Sequence, residues 1–344
     1  FNQIVGILAG GFDFQATNQA LPEIQKELNI DPSLSQWVQT ISIVAKVSFS
    51  IPLSQLGVKL GLVNSLLLFT LLVTCLYPTL IFIKNFWLFL FVRFLIGLSL
   101  AGILVQNQSL LQNLAPEKDR KKYAEYQQLT VYIVIIFTPI LASAIIQFLN
   151  WRYIYVVCAT GSFLRFLNMT LIPNLKMKKQ SFDLVGSILL IVILGCFCVG
   201  LTMIAQKNYI IMTCLFVNCI VFGVIFSVYE RSIIDPIINF KVVTKQAKEL
   251  LTIRTCQQLA STSEGFLVPQ YFNFFDIPKV ALGLYSSTKL LIGVFAMMFA
   301  QYMNKKHNVL LLLSVGFTFV TIMHISQTLV LDWFWPFVIL GVCK

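Results

Sequence analysis

The sequence predicts an all-α integral membrane protein with many spans, and three observations carry that expectation. Of its 344 residues, 58% are hydrophobic and only 11% are charged, with a mean hydropathy of +0.82. A soluble domain is about 45–50% apolar and about 25% charged. A water-soluble chain of this length has no interior large enough to hide the surplus. The apolar residues also come in runs of about 20, the length a helix needs to cross the hydrocarbon core. Finally, these runs lack the strict alternation of a transmembrane barrel, and helices and closed barrels are the two structures that satisfy their backbone groups in lipid.

In chain order the runs predict helices over 4–22, 37–57, 62–84, 86–108, 124–148, 151–173, 184–205, 208–229, 249–274, 281–303 and 308–330, with part of a twelfth from 333. The expectation is therefore 11 complete spans and an incomplete one. The sequence begins Phe1-Asn2-Gln3 and ends within an apolar run at Lys344, which predicts that the last bundle is incomplete at its C-terminus. Loop charges orient the spans, since Lys and Arg concentrate on the cytoplasmic side. With the N-terminus inside, the cytoplasmic loops carry Lys59; Lys118, Arg120, Lys121 and Lys122; Lys176, Lys178 and Lys179; Arg231, Lys241, Lys245 and Lys248; and Lys305 and Lys306. The opposite loops carry Lys26, Lys84, Arg152, Lys207 and Lys279. Trp37, Trp87, Trp151, Trp333 and Trp335 all fall at span starts on the outer face, where a half-wet indole is favoured.

The net charge of +11 is spread through short loops, so it does not indicate nucleic acid. The eight Cys, at 75, 158, 196, 198, 214, 219, 256 and 343, fall almost entirely in apolar spans, and Cys196 and Cys198 have neither zinc nor redox spacing. They are expected to be buried small hydrophobes. Two His exclude a histidine-rich metal cluster, and the absence of a Gly-Lys-Ser/Thr phosphate loop makes ATP-driven pumping by this chain unexpected. Short loops leave little room for a soluble catalytic domain, so no enzyme is expected.

Charged groups inside the predicted spans each need a reason, since one at mid-bilayer costs about 2.5–3.5 kcal/mol on insertion scales. Asp13 lies in the first span, Lys46 in the second, Arg93 in the fourth, Arg165 in the sixth, Glu264 in the ninth, Lys289 in the tenth and His324 in the eleventh. Arg254, near a span start, is placed to snorkel. The others either line a polar path or pair between helices.

Several motifs then resemble a known family. Phe12-Asp13 followed by Asn18-Gln19-Ala20-Leu21-Pro22 is similar to an LDxTIVNVALP signature, and Gln36-Trp37-Val38 to the QWV that opens the second helix. Ser50-Ile51-Pro52-Leu53 matches that helix's cytoplasmic half, and Arg93 with Gly97 resembles an RxxxG motif. Ala115-Pro116-Glu117-Lys118-Asp119-Arg120 resembles a PPxxR segment, Trp151-Arg152-Tyr153-Ile154-Tyr155 a WRWIF element, and Phe182-Asp183-Leu184-Val185-Gly186 an FDxxG helix start. Together, in order, they resemble the major facilitator superfamily, in particular its fourteen-helix drug:proton antiporters of the EmrB/QacA type. Two segments depart from that pattern. The GxLaDRxGRR loop reads Ser54 to Val63, with Val58 at the acidic position, Lys59 and Gly61 retained, and Leu62-Val63 at the trailing basic pair. The GPxxGG motif of helix 5 reads Thr138-Pro139-Ile140-Leu141-Ala142-Ser143 and keeps only its Pro.

The resemblance implies a major facilitator fold: an N-terminal six-helix bundle over 1–175, an additional helix pair and linker over 176–230, and an incomplete C-terminal bundle over 231–344. It implies a secondary active transporter in the bacterial inner membrane that expels drugs or other small amphipathic molecules by alternating access. The energy source is the proton gradient, with no cofactor and no metal. Asp13, Asn18, Lys46, Arg93 and Glu264 are the candidates for proton coupling or the substrate path, and Lys59, Gly61, Gly97 and Pro139 for conformational motifs. The partners implied are the lipid bilayer and a small-molecule substrate, with a periplasmic adaptor and outer-membrane channel if the source is Gram-negative. A specific metabolite transporter on the same fold, or a non-functional fragment, are the alternatives.

Overall fold

The computed structural model describes residues 2–114, 116, 118, 120–172, 183–205, 207–233, 272–273, 277–288 and 291. Among them the regular structure is helical: α1 (Asn2–Glu27), α2 (Pro32–Ser35), α3 (Trp37–Leu60), α4 (Leu62–Phe82), α5 (Phe86–Leu114), α6 (Arg120–Phe148), α7 (Tyr153–Met169), α8 (Leu184–Ala205) and α9 (Tyr209–Ser232), followed by a helical segment over 279–288. The eight long helices α1 and α3–α9 coincide with the first eight predicted spans. The later spans lie outside the described residues, except for 272–273, 281–288 and 291.

Helix boundaries follow from local chemistry. Asn85 accepts from the backbone amides of Trp87 and Leu88, at 2.9 and 3.2 Å, and so starts α5. Asp183 does the same for α8 through Gly186, at 2.9 Å, and Asn208 for α9 through Ile211, at 3.4 Å. Short polar side chains at these positions satisfy amides that lack a partner within the helix. Between α3 and α4 a single residue, Gly61, turns the chain with φ 92°, a conformation in which a Cβ would be strained.

Six helices share one apolar core. Phe12 and Ala16 of α1, Val38 of α3, Phe69 and Val73 of α4, Phe89 and Ile96 of α5, Ala142 and Ile145 of α6, and Ile154 and Cys158 of α7 all belong to it. Within this body α3 packs on α5, α4 on α5 and α7, and α1 on α6 and α7. At Gly97 of α5 the helices touch backbone to backbone: a Cβ there would overlap the Ser42 carbonyl oxygen of α3. The remaining pair, α8 and α9, packs as a hairpin, with α8 lying on α3.

The outside is as apolar as the inside. Leu71, Phe82, Phe91, Phe137, Ile210, Ile220 and Val228 are all exposed, an arrangement that suits hydrocarbon and not water. Among the described residues, α4, α8, α9 and the stretch Phe86–Leu110 of α5 are long and apolar enough to cross a membrane by length and composition alone. The others are diluted by polar groups that the bundle holds inside, among them Asp13, Asn18 and Gln19 on α1 and Gln39, Ser42 and Ser48 on α3. One expectation is corrected here. Cys158 is buried, but Cys75 and Cys214 are exposed on the apolar surface, because lipid accepts a thiol as readily as a protein core does. Cys256 and Cys343 lie outside the described residues.

One end of the bundle is marked by tryptophan. Trp151 donates through Nε1 to Glu27 at the end of α1, at 2.5 Å, and its ring meets Phe89 near the start of α5 at 6.1 Å. Arg152 binds Glu27 at 2.9 Å and donates to the carbonyls of Leu80, Ile81 and Ile83 at 3.0, 2.7 and 3.0 Å. The ends of α1 and α4 and the start of α7 are thereby fastened together. The opposite end carries the Gly61 turn.

Candidate functional site

Asp13 stands on α1, one helical turn before Thr17, and Arg93 on α5, one turn before Gly97. Because Gly97 lets α5 approach α3 closely, the Arg93 guanidinium reaches across into the space between α1 and α3. Its Nη1 lies 2.6 Å from Asp13 Oδ1, and the side chains are 0% and 4% exposed. Arg93 Nη2 donates to Gln39 Oε1 at 2.7 Å and Nε to the Val38 carbonyl at 3.2 Å. Gln39 Nε2 donates in turn to the Phe14 carbonyl at 3.0 Å, and Thr17 Oγ1 to Asp13 Oδ1 at 3.4 Å. Ser42 Oγ donates to the Arg93 carbonyl at 2.8 Å, joining α3 to α5 a second time.

The geometry makes the pair a shared centre for three helices. A buried charge is tolerated when it is paired and its remaining donors are satisfied, and each face of the Arg93 fork has an acceptor. Removal of the Asp13 charge by substitution leaves the buried Arg93 guanidinium uncompensated. Breaking such a pair on one side costs about 3–5 kcal/mol.

The other predicted residues do not join this centre. Asn18 is buried on α1. Lys46 of α3 has its ammonium 6.0 Å from the Phe14 ring centroid and forms no ion pair among the described residues. Lys59 is exposed at the end of α3, beside Gly61. Pro139 is buried within α6, which continues through it; Thr138 Oγ1 donates to the Val134 carbonyl at 2.8 Å and Ser143 Oγ to the Ile140 carbonyl at 3.0 Å. The hydroxyls of Thr138 and Ser143 thus engage carbonyls around the proline. Arg165 of α7 is buried and donates to Asn107 of α5 at 2.6 Å, a pairing between helices. Glu264, Arg254, Lys289 and His324 lie outside the described residues.

Gln39 and Thr17 were not singled out from the sequence, although they complete the centre. The one available signal was spacing: Thr17 is four residues after Asp13, which puts the two on one face of a helix. Nothing local marks Gln39, whose role depends on how α3 crosses α5. An open cavity of about 230 Å³ lies elsewhere, at the tryptophan end, lined by Glu23, Lys26, Glu27, Leu149 and Trp151 among others.

Comparisons with known proteins agree with this architecture. The family model described as Major Facilitator Superfamily matches residues 4–343. Among solved structures, a proton dependent oligopeptide (POT) family transporter aligns with a TM-score of 0.54 and 16% identity, covering 89% of this chain and 71% of that one. A D-xylose–proton symporter aligns with a TM-score of 0.51 and 15% identity, covering 89% of this chain and 68% of that one. At such identities the likeness is one of fold.

Proposed function

Because the chain belongs to the Major Facilitator Superfamily, a multi-pass family of secondary transporters, we propose that it couples proton entry at Asp13 to the efflux of small amphipathic molecules across the bacterial inner membrane. The observation that carries this reading is the buried Asp13–Arg93 pair at the junction of α1, α3 and α5. A proton on Asp13 discharges the carboxylate, frees Arg93 to rely on Gln39 and the Val38 carbonyl, and changes which packing of the three helices is lowest in free energy. Loss of the proton on the other side of the membrane restores the pair.

The magnitudes suit the task. One elementary charge moving through 100 mV supplies about 2.3 kcal/mol. At about 1.4 kcal/mol per tenfold, that sustains a gradient of roughly 40-fold. The reading includes a division into two bundles with an additional helix pair, a substrate site near the midplane between the bundles, and Lys46, Asn18 and Glu264 on the substrate path. The resemblance to the fourteen-helix antiporters supports drugs as substrates, and the loop charges support a cytoplasmic N-terminus.

The test is proton-driven dye efflux in vesicles containing the full-length protein. Asp13→Asn is expected to abolish gradient-dependent efflux while dye binding persists; unchanged pH-dependent efflux removes Asp13 from the coupling role. A second reading, transport of one specific metabolite on the same fold, is favoured by Thr138, Ala142 and Ser143 replacing the glycines around Pro139. Substrate profiling in vesicles of known orientation separates the two.

A further inference from the structure

The α8–α9 hairpin sits at the edge of the six-helix body: α8 lies on α3, and α9 packs on α8. Only 6% of the apolar stretch of α9 is buried, against 61% for that of α5. Along its bare face Ile211, Cys214, Asn218, Val221, Ile225 and Val228 are all exposed. They follow one another at spacings of three, four, three, four and three residues, the seven-residue alternation of a seam between two parallel helices. Ile211, Asn218 and Ile225 take the a positions of that seam, and Cys214, Val221 and Val228 the d positions. Any straight helix face offers such spacing, so the residue types decide what the face does.

Asn218 is what lipid alone does not explain. It follows Tyr209, the first residue of α9, by nine positions, about 14 Å along the axis at 1.5 Å per residue. That depth is near the middle of a hydrocarbon core about 30 Å thick. Asn218 Nδ2 donates to the Cys214 carbonyl at 2.8 Å, which uses one of its two N–H groups. The second N–H and the carboxamide oxygen have no partner among the described residues. Polar groups left open to hydrocarbon are costly, and helix association in lipid is one way to satisfy them.

We propose that the chain pairs with a second copy of itself along this face of α9, with the two Asn218 carboxamides hydrogen-bonded to each other at mid-membrane. Copies inserted in one orientation present α9 in parallel, and a two-fold axis along the membrane normal sets each residue opposite its own copy at equal depth. A carboxamide is donor and acceptor at once, so Asn218 is complementary to itself. A single Asn at an a position fixes register and the number of strands in such a seam. The β-branched Ile211, Val221, Ile225 and Val228 have little rotamer freedom to lose on packing. The pairing leaves the Asp13 centre untouched, because α9 contributes nothing to it.

The seam carries its own reporter. Cys214, one turn before Asn218 and at a d position, faces its copy across the axis. In membranes containing the full-length protein, copper phenanthroline is expected to link two chains through Cys214, identified by mass spectrometry of the joined peptides. Cys75, exposed on α4, is expected not to link. Energy transfer between donor- and acceptor-fused copies, followed as lipid is added, gives the dimer's strength. Asn218→Leu is expected to weaken it by about threefold to tenfold, the worth of one interhelical hydrogen bond in lipid. Asn218→Gln keeps the carboxamide and is expected to retain most of the strength. Ile220→Ala, exposed on α9 but off the seam, is expected to change nothing. Energy transfer that tracks acceptor density alone would overturn the proposal, as would equal transfer in the parent and Asn218→Leu. A Cys214 linked within its own chain, to Cys256 or Cys343, would also overturn it and assign the face to a later segment of the chain.

Discussion

At the scale of single residues, the Arg93 fork organises what surrounds it. Three of its nitrogens have separate acceptors on α1 and α3, so an ammonium cannot replace it: Lys carries the charge without the planar set of donors. Arg93→Lys is expected to keep the charge opposite Asp13 and lose the Gln39 and Val38 contacts. Gln39→Leu isolates one of those contacts. It leaves a buried charged donor without an acceptor, at a cost of about 1–3 kcal/mol, and is expected to lower the thermal unfolding midpoint of the purified full-length protein in detergent. An unchanged midpoint would mean that water reaches Nη2. Asp13 and Arg93 were both visible in the sequence, because a charge amid apolar residues is conspicuous. Gln39 was not, because a glutamine near a span start has many ordinary uses.

At the scale of elements, two glycines set how helices meet, for different reasons. Gly97 gives α5 access to the α3 backbone at Ser42, and the approach is what carries Arg93 to Val38. Gly97→Val is expected to force α3 and α5 apart at a cost of about 1–3 kcal/mol or more, read as a lowered midpoint in the same unfolding measurement together with weakened gradient-driven efflux. Gly61 instead supplies φ 92° in a one-residue turn. Gly61→Ala is expected to cost about 1–2 kcal/mol from backbone strain with the Asp13 centre intact, so dye binding should survive a fall in stability. The glycine at this turn is thus accounted for by geometry. The α8–α9 hairpin shows a third kind of junction. The Asp183 carboxylate caps α8 and accepts from the Tyr229 hydroxyl of α9 at 3.0 Å, while Ser187 donates to Gln55 of α3 at 3.4 Å. One acidic residue thereby closes the hairpin close to where α8 meets α3.

At the scale of the whole molecule, polarity is turned partly inside out. Polar side chains lie buried between helices, large apolar ones lie outside, and the two ends are chemically distinct. Trp151, Arg152 and the Glu23–Lys279 pair mark one end; the Gly61 turn marks the other. Lys118 and Lys84 are both exposed, in loops that the charge distribution puts on opposite sides. In vesicles of known orientation, Lys118→Cys is expected to react with an impermeant thiol reagent from the cytoplasmic face and Lys84→Cys from the outer face. Reversal of both would invert the N-terminus, and reaction of both from one side would mean that a helix between them does not cross.

The first eight spans, their approximate limits and the identity of the central acid and base were legible along the chain. Each rests on a local property: about 20 apolar residues in a row, a cap at a helix start, or a charge where lipid disfavours one. Composition alone separated the chain from soluble proteins. It could not say which face of α1 or α3 looks inward, since both are amphipathic only through a few polar positions whose partners lie on other helices. That Asp13 and Arg93, 80 positions apart, share a buried polar centre with Gln39, and that Gln147 caps a helix 133 positions away, was decided by tertiary packing. Contacts between distant segments depend on how helices cross, and the crossings depend on close approaches such as Gly97 on Ser42 and Gly283 on Ser143, which no local pattern announces.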